Sequence, residues 1–194
     1  MKEEIKANII KSIECKENLL KDELIIETIE KVCKEIINAY KNNHRVYIMG
    51  NGGSAADAQH FAAELVGRYL LERNAWPAQA FTTDTSIITA IGNDYGYDEI
   101  FTRQVEAMVQ KGDIVIGITT SGNSNNIALA LEKAKRLGAK TIGLLGKTGG
   151  RCKELCDYPI IVRWDRTPNI QESHIMIIHI ICELVEKELK ANGK

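Results

Sequence analysis

The chain has 194 residues, within the roughly 100–200 of a single domain, and its 44% hydrophobic and 26% charged content is that of an ordinary globular protein with a real core. A formal net charge of −1 gives no global pull towards nucleic acid. Five cysteines, an odd number widely scattered without a CxxC, give no sign of a disulfide framework.

Residues 1–42 read as helical. Ile5, Ile9 and Ile13, then Ile25, Ile29, Val32, Ile36 and Ile37, recur at steps of three and four between charged positions. The stretch has no uninterrupted hydrophobic region, so no secretion signal is expected and the cytoplasm is the natural compartment. The apolar stripes predict a helical arm that packs on its own domain and also against another subunit.

From Arg45 the pattern changes. RVYIMG, AQAFTT, DIVIGITT, TIGLLG and YPIIVRW are short runs, most of them rich in Val and Ile and ending at Gly, Thr or Ser, as buried parallel strands do. Helical stretches lie between them, at Ala55–Tyr69, about Ser86–Ile91, Asp98–Val109 and Asn126–Leu137, and a last helix runs from about Asn169 to Ala191. Alternating strands and helices predict an α/β fold over residues 43–194, a five-stranded parallel sheet sandwiched by helices in the flavodoxin-like manner. The longest apolar stretches, such as Ile175–Cys182, are too short to cross a membrane.

Ligands of such sheets sit beyond the carboxyl ends of the strands, and two loops there carry signal. In GNGGSAAD the glycines allow backbone N–H groups to approach an anion closely. Ser54 is expected to cap the following helix, whose positive dipole end lies in the same place. In TTSGNSNN the hydroxyls of Thr119, Thr120, Ser121 and Ser124 surround Gly122, a nest for a phosphomonoester without a formal cation. Neither loop carries the lysine of a nucleotide-binding GxxxxGK[ST]. Capped turns are the plainer reading of either loop alone.

His60, Glu64 and Arg68 follow at i, i+4 and i+8 and share one helical face, with Asp57 close to it; a Glu64–Arg68 surface ion pair is the plainer account of this stripe. On the last helix Gln171 and His179 are eight residues apart, roughly 80° around the axis and so broadly on one side. His174 points elsewhere and reads as a capping or surface residue. His179, among isoleucines, reads on its own as a hydrogen-bonded core histidine.

Taken together, GNGGSAADAQHFAAELVGRY, IGNDYGYDEIF, GITTSGNSNN and IQESHIMIIH resemble the sugar isomerase (SIS) domain and, within it, the phosphoheptose isomerase family, over essentially the whole chain. The resemblance implies conversion of D-sedoheptulose 7-phosphate to D-glycero-D-manno-heptose 7-phosphate by a cytoplasmic homotetramer with active sites near subunit interfaces. It implies Asn51, Gly52, Gly53, Ser54, Asn93, Asp94, Thr119, Thr120, Ser121 and Ser124 as substrate-binding residues. Glu64 and Gln171 would contact both substrate and metal, and His60 and His179 would complete a zinc site. The chemistry suits this: an aldose–ketose exchange through an enediol needs a base, for which Glu64 serves if desolvation raises its pKa, and an acid, for which His179 serves. Two positions depart from the family's pattern, Thr119 where a serine is common and Asn169 where an arginine often precedes IQE. The rival reading is a non-catalytic SIS tetramer that binds the bacterial replication initiator, and the second histidine, His179, argues against it.

Overall fold

The computed structural model describes residues 1–191. Among them are seven α-helices: α1 (Lys2–Lys21), α2 (Glu23–Lys41), α3 (Gly53–Val66), α4 (Thr85–Asp94), α5 (Thr102–Met108), α6 (Asn125–Arg136) and α7 (Thr167–Ala191). Five strands are interleaved with them after residue 45, β1 (Val46–Gly50), β2 (Ala78–Ala80), β3 (Ile114–Thr119), β4 (Lys140–Gly146) and β5 (Tyr158–Val162), the last two joined by a 3₁₀ turn at Arg151–Leu155 in place of an α-helix. All pairings are parallel, in the order β2-β1-β3-β4-β5. The expected five-stranded parallel sandwich is therefore present. Its strand order reverses between β1 and β3, so the loops leaving these two strands flank the switch point where ligands of open α/β sheets bind.

Alternation along the strands divides the core into two layers. Val46, Ile48, Ile116, Ile118, Leu144, Ile160 and Val162 face α2, α3 and α7. Tyr47, Met49, Val115, Leu145 and Ile161 face α5 and α6. Gly117 sits under α6, where an added Cβ would lie 2.8 Å from the Ile127 side chain, so only glycine lets the helix come so near. All five cysteines are buried free thiols, Cys15, Cys33 and Cys182 in the first layer and Cys152 and Cys156 in the second.

The two N-terminal helices behave differently. Helix α2 is capped by Asp22, whose carboxylate accepts the Ile25 N–H at 3.2 Å, and it buries Ile25, Ile29, Val32, Ile36 and Ile37 against α7 and β5. It belongs to the sandwich. Helix α1 rests on α7 through Cys15 and Leu19, but leaves Ile5, Ile9, Ile10 and Ile13 each more than half exposed.

Three element readings are corrected. The helix expected over Asp98–Val109 is a short 3₁₀ turn at Tyr97–Glu99 followed by α5. The break accompanies burial of two adjacent side chains, Ile100 and Phe101, which a continuous helix would splay about 100° apart. Helix α3 starts earlier than expected, with Gly52 at its N-cap, so Ser54 lies inside the first turn and does not cap it. The same helix stops at Val66, so Arg68 is off the His60–Glu64 stripe and pairs with Glu72 at 3.6 Å. Among the described residues no helix is long and apolar enough to cross a membrane.

Candidate active site

Strand β1 ends in a sharp turn. A Cβ on Gly50 would come within 2.3 Å of the Ser54 carbonyl oxygen, and Gly52 takes φ of 57°, so both positions need glycine. The turn brings the N-terminus of α3, its positive dipole end, to the switch point. Thr119, at the end of β3, puts its Oγ1 2.9 Å from Ser124 Oγ and 3.3 Å from Ser121 Oγ. Ser124 occupies the N-cap position of α6 yet makes no capping bond, since its hydroxyl turns to Thr119. Gly122, at φ of 71°, packs directly on the Gly149 backbone and holds the loop closed.

A reciprocal amide pair joins the two loops. Asn51 Nδ2 donates to Asn126 Oδ1 at 2.9 Å, and Asn126 Nδ2 donates back to Asn51 Oδ1 at 3.0 Å. The Tyr97 hydroxyl also donates to Asn51 Oδ1 at 2.9 Å, and Asn125 Nδ2 donates to Asp98 Oδ2 at 2.7 Å. Asn126, Tyr97 and Asp98 belong to motifs visible in the sequence, GITTSGNSNN and IGNDYGYDEIF, but nothing in those motifs revealed which loop each would reach. Asn93 and Asp94 bond to one another at 2.8 Å and are exposed at the end of α4. Unlike Asn51, they form no hydrogen bond to either loop among the described residues.

Beside this nest of hydroxyls lies a cluster of titratable side chains. His60 Nε2 is 3.0 Å from Glu64 Oε1, as their i, i+4 spacing on α3 requires. It is also 3.2 Å from His179 Nε2 on α7. The Tyr69 ring stacks on His179 at a centroid distance of 5.8 Å. Gln171, one face up α7, lies over the first residue of α3: a Cβ on Gly53 would come 2.2 Å from its Nε2. The carboxyl of Asp57, buried beneath, has an Oδ2 without a hydrogen-bond partner. Burial raises its pKa, against the opposing pull of Gln171 and His60. The His60 side chain remains 44% exposed, so the cluster opens to the surface.

Two histidine readings change. His179 is not a core residue but faces His60 in the cluster. His174 is not on the surface: it is fully buried, its Nε2–H donates to the Leu145 carbonyl at 3.1 Å, and burial pushes its pKa down to about 4. Asn169 lies on the α1 side of α7, its carbonyl accepting the Ser173 hydroxyl at 2.7 Å and its amide donating to Glu172 at 3.3 Å.

Whether these side chains suit a zinc ion is a question of donor type and spacing. Among the described residues no three His, Cys, Asp or Glu side chains are already grouped in metal-holding geometry. Yet the two imidazole nitrogens at 3.2 Å need either one proton or one cation between them. Tetrahedral zinc with bonds of about 2.0–2.1 Å separates its ligands by about 3.3 Å, close to both the 3.2 Å His–His and the 3.0 Å His–Glu spacing. The donor set of two nitrogens, a carboxylate and an amide oxygen fits the ion.

The SIS domain family matches residues 14–146. The chain is 56% identical over 189 residues to the phosphoheptose isomerase of Clostridium acetobutylicum, covering 97% of this chain and 96% of that one. It is 55% identical over 193 residues to the phosphoheptose isomerase of Geobacter sp. (strain M21), covering 100% of both. Among solved structures, the phosphoheptose isomerase of Neisseria gonorrhoeae superposes with a TM-score of 0.90 at 39% identity, covering 96% of this chain and 98% of that one. The Francisella tularensis phosphoheptose isomerase gives a TM-score of 0.91 at 36% identity, covering 95% and 97%. The fold and these relatives agree, and the chain belongs to the phosphoheptose isomerases of the SIS-domain family, a group of sugar-phosphate isomerases.

Proposed function

We propose that the protein interconverts D-sedoheptulose 7-phosphate and D-glycero-D-manno-heptose 7-phosphate through an enediol, with Glu64 as base and His179 as acid. The observation that carries this reading is the convergence of a carboxylate and two imidazoles from α3 and α7, at 3.0 and 3.2 Å, beside a nest of hydroxyls at the switch point. The phosphate sits among Thr119, Thr120, Ser121, Ser124 and the N–H groups of Gly52 and Gly53. Hydroxyls and helix-end N–H groups suffice for this, because the dianion gains charge-assisted hydrogen bonds from each. The sugar then extends along α3 towards the cluster.

Moving a proton between C1 and C2 asks for a group that accepts it from one carbon and returns it to the next, while a second group serves the oxygens. Glu64 is held by His60 at one carboxylate oxygen, and its other oxygen is left for the substrate. His179 is oriented by the Tyr69 ring. His60, Glu64, Gln171 and His179 would hold zinc, which would polarise substrate oxygens or order the site. The exposed isoleucines of α1 are the surface on which a homotetramer would form. Asn93 and Asp94, exposed at the end of α4, are the remaining substrate contacts of this reading. The replication-initiator alternative draws no support from the relatives above.

The test is incubation of purified protein with sedoheptulose 7-phosphate, with aldose formation followed alongside fructose 6-phosphate, arabinose 5-phosphate and unphosphorylated sedoheptulose. Aldose is expected from the seven-carbon phosphate and not from the free sugar. Equal turnover of the free sugar would remove the role given to the hydroxyl nest. Zinc is expected at a substantial fraction of one ion per subunit in protein purified without chelator.

A further inference from the structure

The base and the acid of the proposed reaction come from different helices, and something must fix how α3 meets α7. We infer that a buried ion pair outside the site, Arg73 with Glu186, is the positioning device that sets Glu64 against His179. The inference rests on the isomerase reading above.

Helix α3 ends at Val66, so the carbonyls of Glu64 and Leu65 have no partners within the helix. Arg73 supplies a partner to each, sharing the Leu65 carbonyl with the Trp76 N–H at 3.3 Å. Its Nη2 donates to the Glu64 carbonyl at 2.7 Å and its Nη1 to the Leu65 carbonyl at 3.0 Å. The same guanidinium donates through Nε to Glu186 Oε1 at 3.0 Å and lies over the Trp76 ring, its Cζ 3.7 Å from the ring centroid. One planar fork thus grips the peptide of the base and a residue of α7 together, a geometry that arginine provides and lysine does not.

Glu186 completes the link from the other side. It stands on α7 two turns beyond His179, and its two oxygens accept the N–H groups of Tyr69, Leu70 and Leu71 at 2.9, 2.7 and 2.7 Å. Burial alone would raise its pKa, but these N–H groups and Arg73 outweigh it and hold the carboxyl ionised. Tyr69, fixed by that first bond, lays its ring on His179. The chain of contacts therefore runs from the Glu64 peptide through Arg73 and Glu186 to Tyr69 and on to the imidazole. Both charged side chains are 1% exposed, so water does not compete for these bonds.

Arg73→Lys tests the inference. The variant keeps the positive charge opposite Glu186 but cannot hold both helix-end carbonyls and the carboxylate at once. At a temperature where circular dichroism shows it fully folded, kcat should fall about 10- to 100-fold while KM stays within about twofold, because the phosphate loops are untouched. A group that acts only through the base loses its effect once the base is gone. Arg73→Lys should therefore lower kcat by less than about threefold in a Glu64→Gln background. If the lysine variant fails to fold, Tyr69→Leu decides: kcat should fall about 3- to 10-fold, again with KM held. Wild-type kcat in folded Arg73→Lys, or its full factor retained in the Glu64→Gln background, would overturn the inference and leave the isomerase reading standing. A wild-type protein without isomerase activity would sink both.

Discussion

Gly53→Ala separates stability from function at a single methyl group. Gly53 opens α3 and its backbone is not left-handed, so alanine suits the conformation and, by restricting the unfolded chain, would contribute about 0.4–1 kcal/mol to stability. The new Cβ would lie 2.2 Å from Gln171 Nε2, where ordinary contact begins at 3.4 Å, so the amide must retreat by more than 1 Å. The obstruction is the free end of a flexible side chain, and turning it aside costs on the order of 0.5–1.5 kcal/mol. The two contributions largely offset one another, and at roughly 2–4 °C per kcal/mol for a chain of this size the midpoint should move by less than about 5 °C. Activity should not be spared, because a displacement of about 1 Å at a reacting centre costs on the order of 100-fold. Thermal unfolding followed by circular dichroism, together with initial rates on sedoheptulose 7-phosphate, measures both. Gly122→Ala is the contrasting control. There φ is +71° and the Cβ would meet the Gly149 backbone oxygen at 2.2 Å, so the loop itself must give way and stability should fall. Wild-type kcat and KM in Gly53→Ala would refute the placement of Gln171 in the site.

Glu64→Gln and His179→Asn should each lower kcat by about 10²–10⁴-fold with smaller effects on substrate binding, and wild-type turnover in either would end the acid–base assignment. Zinc content, measured in both variants, must be compared with wild type so that metal loss is not mistaken for loss of a proton-transferring group. Light scattering at micromolar concentration should report a tetramer, and Ile9→Glu with Ile13→Glu should dissociate it; a wild-type monomer would remove the role given to the exposed face of α1. His174 gives a pH dependence with a definite sign. Its pKa is lowered in the folded state to about 4 from 6.5, so the unfolded chain binds more protons between these values, and stability is fully present above about pH 6.5 and lost as pH falls towards 4. The contribution lost by pH 4.5 is roughly 2–3 kcal/mol, and His174→Gln, which keeps a donor for Leu145, should flatten the urea midpoint between pH 4.5 and 7.

The parallel strands were legible because each is a short apolar run ended by Gly or Thr, and strands buried on both faces have little choice of composition. The two loops were legible for a related reason, since glycine and hydroxyl residues at a strand's carboxyl end serve few purposes. His60 and Glu64 follow from helical spacing alone, but their meeting with His179 does not: no spacing rule relates two helices that lie 119 positions apart in the chain. The misplacement of His174 shows where single-face logic stops. Helix α7 packs against α1, α2, α3 and two strands, so more than one of its faces is buried. Arg73 and Glu186 were invisible for the same reason as the Asn51–Asn126 pair. Ordinary surface-type residues, 113 and 75 positions apart, acquire their roles only when the chain has folded.

The placement of the thiols gives the molecule a built-in clock. Cys15, Cys33 and Cys182 lie in the layer beneath α2 and α7, Cys152 and Cys156 in the layer beneath α5 and α6, and all five are shut away from solvent. Burial also holds the Cys33 thiol up at about 12 and the Cys152 thiol at about 11, so these two present almost no thiolate to a reagent in the native state. An alkylating agent then labels each cysteine only as fast as its layer opens. The order in which the five masses appear would read, without any engineered probe, which side of the sheet lets go first.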